Sequence, residues 1–506
     1  LGKEFDELSR RLKEIRNLQK AASVLSWDQE TMMPPGGAKA RAEQLSTLSC
    51  LAHTMFTSEA LGNLLRSAAD EIRDMPYDSD EASLLRVGQR DYDQSKKLPS
   101  AFVAEMTRHV ALSHQIWVEA RRDDDYGLFA PCLATTLDLS RRRAEYLGYE
   151  DKPYDALLDI FEPGMKSGQV AEIFGDLKSQ LVPLVRAIAT RTDRVSDAPV
   201  HRPFDEAKQE EFGLMIATAI GYDFSRGRQD RAVHPFETSF SRDDVRITTR
   251  FEAGFLNPSL FGTMHEAGHA MYEQGIGESL EGTLLGRGAS SSLHESQSRL
   301  WENLVGRSRG FWRHFYPQLK ETFPETLRDV DVDAFYQAIN KVEPSLIRVE
   351  ADEVTYTLHV MLRFEMEMGL MDGSISVEEA PRAWRDKHEE YLGVVPPNDR
   401  FGILQDIHWS SALLGYFPTY ALGTMLSVQL YNCALAAHPE IPAEIEQGRF
   451  NTLRAWLTEN VYRHGRKYRP LELIERVTGE QIQTEPYVAY LKNKFGEIYG
   501  LDGLLA

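Results

Sequence analysis

The stretch His265-Glu266-Ala267-Gly268-His269 sets two imidazoles four residues apart, with a carboxylate beside the first. On a helix both imidazoles share one face, about 6 Å apart along the axis at a rise of ~1.5 Å per residue. Two neutral imidazoles at that spacing suit a single cation. Glu266 lies roughly 100° around the helix from His265, near such a cation but off the ligand face. A carboxylate there can take a proton from water that a zinc ion has acidified. Hydrolysis by activated water is the chemistry expected. The same pattern also occurs on ordinary solvated helices, so its surroundings have to decide.

Catalytic zinc commonly has three protein donors and one open position, so two histidines leave the set one short. Glu295, in Leu293-His294-Glu295-Ser296-Gln297, follows His269 at a distance that allows a loop and a returning helix. It could equally be a first-turn helix glutamate favoured by the helix dipole, and Glu302 is a competing donor. Spacing leaves these alternatives open.

The elements around these residues read as helical. Phe5, Leu8, Leu12, Ile15, Leu18 and Leu25 recur at three- and four-residue steps and predict a helix over 3–25. Met33-Pro34-Pro35-Gly36-Gly37 breaks it. Further helices are expected near 38–51, 60–74, 81–96, 100–123, 131–148 and 168–192. Past the metal-binding stretch (259–274) they continue at about 293–319, 333–342, 346–369, 376–391, 408–436, 450–463 and 470–477. The texture changes only at about 228–255, where 233–240 and 245–251 are β-branched and aromatic and read as strands of a small sheet. Gly277–Ser291 is rich in glycine and serine and reads as a mobile loop.

The 506 residues carry 57 Lys+Arg against 77 Asp+Glu, a formal charge of −20. Such a field repels phosphate backbones, which argues against a nucleic-acid partner. Cys50, Cys132 and Cys433 form neither a CxxC pair nor a disulfide framework, so a reducing cytoplasm is expected. The charged N-terminal stretch does not read as a signal peptide. Ile407–Pro439 lacks Asp, Glu, Lys and Arg, yet Gly415, Pro418, Gly423, Gln429 and Asn432 interrupt it. A buried core helix is expected there, not a membrane span.

Five separated blocks resemble the Taq-type thermostable metallocarboxypeptidases, the carboxypeptidase Taq family, and occur in that family's order. They are Asp244-Val245-Arg246-Ile247-Thr248, His265 to His269, His294-Glu295-Ser296-Gln297, Ile347 to Asp352 (IRxxAD) and Gly402 to Trp409 (GxxQDxHW). Leu25-Ser26-Trp27-Asp28 is similar to the family's N-terminal region. The resemblance implies that Glu295 is the third metal ligand and Glu266 the general base. It also implies a mainly α, two-lobed body with a deep active-site cleft, and a homodimer.

A carboxypeptidase needs a group to hold the terminal carboxylate. Arg348 is the candidate, because a guanidinium forks onto a carboxylate and the IRxxAD block is associated with this task. A salt bridge to Glu350 or Asp352 is its structural alternative. Arg246 is the runner-up, with a strand-edge pair to Asp244 as its own alternative. His234 and Tyr420, beside Tyr416, are candidates to donate to the oxyanion or the leaving amine. Asp406, His408 and Asp352 suit places behind the metal ligands. The position four after Glu295, an Asp in some other HExxH enzymes, is Arg299.

The expectation is one catalytic domain over 1–506, with the metal-site core at about 259–410. It is read as a cytoplasmic metallocarboxypeptidase with one divalent metal per chain, zinc first and cobalt or manganese next. Its partners are peptides with a free C-terminus, not nucleic acid or membrane. A catalytically silent peptide-binding protein, and an endopeptidase or dipeptidyl carboxypeptidase, are the alternatives.

Overall fold

The computed structural model describes residues 2–501, folded into twenty α-helices and one three-stranded sheet. Two compact units interleave along the sequence. One takes Leu1–Lys96, Asp197–Ile339 and Leu430–Glu480; the other takes Lys97–Ser196, Asn340–Gln429 and Gln481–Ala506. Five helices carry the residues of interest, numbered here α1 (Lys3–Thr31), α2 (Asn257–Gly275), α3 (Ser291–Arg299), α4 (Tyr356–Asp372) and α5 (Pro418–Ala437). Among the described residues no helix is long and apolar enough to cross a membrane.

In the first unit, α1 buries Phe5, Leu8, Leu12 and Ile15 at the expected helical spacing. They join a core with Leu61, Leu65, Ala68 and, from the Gly277–Ser291 segment, Leu280, Leu284 and Leu285. That segment is therefore not the slack loop its composition suggests: three leucines tie it into the core. α1 also runs past the expected end at residue 25, carrying Trp27 to a buried position.

The sheet falls inside the expected window. β1 (Gln229–Arg231) lies parallel to β3 (Asp244–Thr249), and β2 (Glu237–Ser241) pairs antiparallel with β3, which is central. The expected strand over 233–240 is shortened because Pro235 has no N–H to give a ladder. A bulge between Ser239 and Ser241 closes the hairpin.

Three expected helices are interrupted. The one over 293–319 is α3, then a π-helical stretch at Leu300–Val305, then a new helix whose N-cap Ser308 accepts from the Phe311 N–H. The one over 346–369 begins only at Tyr356. Ahead of it, Asp352 Oδ1 accepts from the Val354 and Thr355 N–H groups, and that capped turn holds residues 348–350 in a single 3₁₀ turn. The one over 408–436 starts at Pro418, since the preceding turns include Gly415 at φ 92° with no room for a side chain against the backbone of Leu157 and Leu158.

Helices Pro153–Phe161 and Glu485–Tyr499 escape the sequence reading because their prolines look like breakers, although a helix tolerates proline in its first turn. Helix Glu206–Ile220 has its apolar residues bunched at one end.

Candidate active site

α2 is buried on nearly every face, including Glu266, Ala267, Gly268 and Ala270. Small residues let its neighbours come close. A Cβ on Gly268 would stand 2.7 Å from both Gln297 O and Ser298 Cα, so glycine there permits α3 to lie directly on α2. That contact brings Glu295, two residues before Gln297, to the histidines.

Glu295 Oε2 lies 3.7 Å from His265 Nε2 and 3.5 Å from His269 Nε2. The three donor atoms all lie within 4.8 Å of one another. Tetrahedral donors at bond lengths of about 2.0–2.2 Å stand about 3.3–3.6 Å apart, so this set fits a divalent ion such as zinc. The donors, two imidazoles and one carboxylate, match a hydrolytic site with a position left open.

Each donor is fixed from behind. His265 Nδ1 meets Glu302 Oε2 at 2.8 Å. His269 Nδ1 meets His294 Nδ1 at 2.6 Å, and His294 Nε2 lies 3.1 Å from Glu273 Oε1. Arg299 Nε donates to Glu295 Oε1 at 2.7 Å, which turns Oε2 toward the histidines. The orienting role filled by an aspartate elsewhere thus falls to Arg299 itself. Glu302, from the π-helical stretch, is a hydrogen-bond partner behind His265, whereas the carboxylate that faces both histidine Nε2 atoms is that of Glu295. The wider π turn carries it there, a common use of such turns at functional sites.

Electrostatics follow the same arrangement. Burial works against a charge on Glu295, yet Arg299 and His265 hold its carboxyl well below the usual carboxylate range. Burial, with His294 and His265 close by, lowers His269 to about 3 and keeps it in the neutral form a metal requires. Burial raises Glu266 to about 7, with Glu295 and Glu302 adding to the rise and His265 opposing it.

The remaining sequence candidates take other partners. Arg246 forks onto Asp244 at 2.8 and 2.9 Å, with its guanidinium over the rings of Trp27 and Phe240. Its strand-edge alternative is what the structure holds. His234 sits exposed between β1 and β2.

In the second unit, Arg348 is buried and pairs with neither Glu350 nor Asp352. Its Nε and Nη2 reach Asp406 Oδ1 at 3.0 and 2.9 Å, and Nη1 donates to the Tyr356 hydroxyl. Asp406 Oδ2 also accepts from Arg363 Nε at 2.6 Å. Gln405 clamps the same turn, accepting from the Arg348 N–H and donating to Leu346 O. The GxxQDxHW block therefore holds the IRxxAD block in place.

Asp406 serves two arginines, His408 Nε2 meets the Tyr420 hydroxyl at 3.1 Å, and Asp352 caps the entry to α4. The groups that stand behind His265, His269 and Glu295 are Glu302, His294 and Arg299. Arg363 escaped the sequence reading, although an arginine between Leu362 and Phe364 in an apolar helix is a signal, since a buried guanidinium demands an anion. His294 was quoted only as part of a block, and nothing in its spacing pointed to His269.

Comparison with known proteins agrees with this chemistry. The family model described as carboxypeptidase Taq (M32) metallopeptidase matches residues 7–495. Carboxypeptidase 1 of Bacillus subtilis is 39% identical over 497 residues, covering 98% of each chain. Thermostable carboxypeptidase 1 of Thermus thermophilus is also 39% identical, over 96% of this chain and 97% of its own. The crystal structure of an M32 carboxypeptidase from Deinococcus radiodurans R1 superposes with a TM-score of 0.96 at 41% identity, covering 99% of this chain and all of that one. A match of this length, on a chain whose own histidines and glutamate converge, leaves no doubt of kinship: it belongs to the carboxypeptidase Taq family of metallopeptidases.

Proposed function

We propose that the chain is a zinc-dependent carboxypeptidase that releases single amino acids from the free C-terminus of peptides. The observation that carries this reading is the convergence of His265 Nε2, His269 Nε2 and Glu295 Oε2, each braced from behind, beside the buried Glu266. In this reading these three hold one divalent ion per chain, with cobalt or manganese as substitutes for zinc. Such an ion supplies Lewis acidity, polarising the scissile carbonyl and acidifying water. Glu266 takes the proton of the attacking water and returns it to the departing amine, so one carboxyl serves first as base and then as acid.

Arg348 receives the substrate's terminal carboxylate. Two guanidiniums share the single carboxylate of Asp406, so their buried cluster carries an excess positive charge that a substrate carboxylate would balance. Arg246, its fork already filled by Asp244, is the lesser candidate. The Tyr420 hydroxyl and His234 are assigned as donors to the oxyanion or the leaving group. We extend the reading to a cytoplasmic homodimer, on the family resemblance and on three cysteines that form no disulfide.

The test is mass spectrometry of a peptide with a blocked N-terminus, incubated with zinc-loaded protein as the free acid and as the C-terminal amide. Stepwise loss of single residues from the acid alone is expected. Release of dipeptides, or equal cleavage of acid and amide, would replace this reading with a dipeptidyl carboxypeptidase or an endopeptidase. No cleavage with zinc bound would leave a silent peptide binder.

A further inference from the structure

His294 touches a metal-site histidine but has no part in the reaction just described. Its Nδ1 stands 2.6 Å from His269 Nδ1 and its Nε2 stands 3.1 Å from Glu273 Oε1. The two rings are 4.6 Å apart between centroids and inclined at 32°, with the two Nδ1 atoms in contact. Two ring nitrogens this close share one hydrogen: one donates and the other accepts.

Only one placement of the hydrogens serves the site. If His294 donated from Nδ1, His269 would accept there and carry its own hydrogen on Nε2, the atom that faces Glu295 Oε2. That atom could then bind no metal. If His269 donates from Nδ1, its Nε2 lone pair is open, and His294 carries its hydrogen on Nε2, where Glu273 Oε1 accepts it. The hydrogen bonds then run in one direction, from His269 through His294 to Glu273.

We propose that His294 and Glu273 are positioning residues that fix the tautomer and ring angle of His269 and thereby set the affinity for the metal. This rests on the reading that His265, His269 and Glu295 hold the ion. His265 is braced by a carboxylate directly, through Glu302; His269 is braced by a carboxylate through an intervening imidazole. Glu273 is itself well anchored. The Gly288 N–H donates to its Oε1 at 2.9 Å and the Ser239 hydroxyl to its Oε2 at 3.0 Å. Lys20, from α1, donates to both the hydroxyl and the carbonyl of Ser239. Gly288 also lets the chain close over His294, since a Cβ there would stand 2.7 Å from the ring. The brace therefore reaches from the metal helix through β2 to the N-terminal helix.

Three full-length variants test it. His294→Phe keeps the ring but offers no nitrogen. His294→Gln keeps an acceptor for His269 and a donor for Glu273. Glu273→Gln keeps the shape and removes the charge. Zinc affinity is measured by competition with a chelating dye, ligand geometry by the visible absorption of the cobalt-loaded protein, and the fold by thermal unfolding of the metal-free protein.

His294→Phe should lose roughly 10- to 100-fold in zinc affinity, the effect usual for removing such a partner. Its cobalt bands should shift, while its metal-free unfolding stays near wild type. His294→Gln should recover most of the affinity, and Glu273→Gln should lose part of it. Wild-type affinity in His294→Phe, or an equal loss in His294→Gln, overturns the proposal. If His294→Phe does not fold, unchanged affinity in Glu273→Gln overturns it instead. A wild-type chain that binds no zinc would count against the metal site itself.

Discussion

Gly268→Ala sets two effects of opposite sign against each other. Alanine in a helix is better than glycine by about 0.8–1.0 kcal/mol, so propensity alone makes this a stabilising change. Geometry opposes it. The new methyl would stand 2.7 Å from Gln297 O and Ser298 Cα, about 0.7 Å inside ordinary contact. Both are backbone atoms, so no side chain can swing away; α3 must move off α2. Overpacking of this kind typically costs about 1–3 kcal/mol, which cancels or outweighs the helical gain.

The metal site should suffer more than the fold. Glu295 rides on α3, and metal sites tolerate departures of only about 0.2 Å in ligand distance. A shift of the size the clash demands should therefore lower zinc affinity steeply while metal-free stability changes by at most a few kcal/mol. Denaturant unfolding of the metal-free protein and dye competition for zinc separate the two quantities. A Gly268→Ala protein that is more stable than wild type and binds zinc as tightly would refute the account of how α3 is brought to the histidines.

Glu266→Gln should keep its zinc, measured by elemental analysis, while kcat falls by about 10²–10⁴, the contribution of a positioned general base. An unaffected kcat would remove Glu266 from the reaction. Arg348→Ala should lower kcat/KM on free-acid peptides by about 100-fold, from about 3 kcal/mol for a buried charged contact. The corresponding amides, expected to resist the wild-type protein, should stay intact, and an unchanged kcat/KM on the free acids would remove Arg348 from carboxylate binding.

Glu367 gives a pH prediction. Burial raises its carboxyl to about 7, against donors from Tyr154, Trp409 and Gly415 that favour the charge. A carboxyl whose folded value lies above the unfolded one stabilises the fold fully below about 4.5 and loses that contribution as pH rises through about 7. Wild-type unfolding temperature should carry this downward term across that window, and Glu367→Gln should lack it. Identical pH profiles for the two proteins would contradict the assignment.

Periodic features were legible in the sequence. The stripe of Phe5, Leu8, Leu12 and Ile15, the His265–His269 spacing and the β-branched run before it each follow from a repeat that one element imposes on its own residues. Boundaries were less so: the segment before α4 and the one before α5 carry helical composition, but Asp352 caps the N–H groups of Val354 and Thr355, and Gly415 lies against the backbone of Leu157 and Leu158. Sequence likewise nominated Glu295 and Glu302 without choosing between them, because the choice depends on how α3 and the π-helical stretch pass α2.

What the sequence determined by itself was a mainly helical chain and the ordered blocks that tie it to its family. What only the tertiary structure decided was who stands behind whom. Arg348 found Asp406 and not Glu350, Asp406 found Arg363 and not a metal ligand, and His269 found His294. These are pairings across long separations between groups that each need a partner once buried. Local periodicity records which face of an element turns inward. It does not record which charge on another element meets it there.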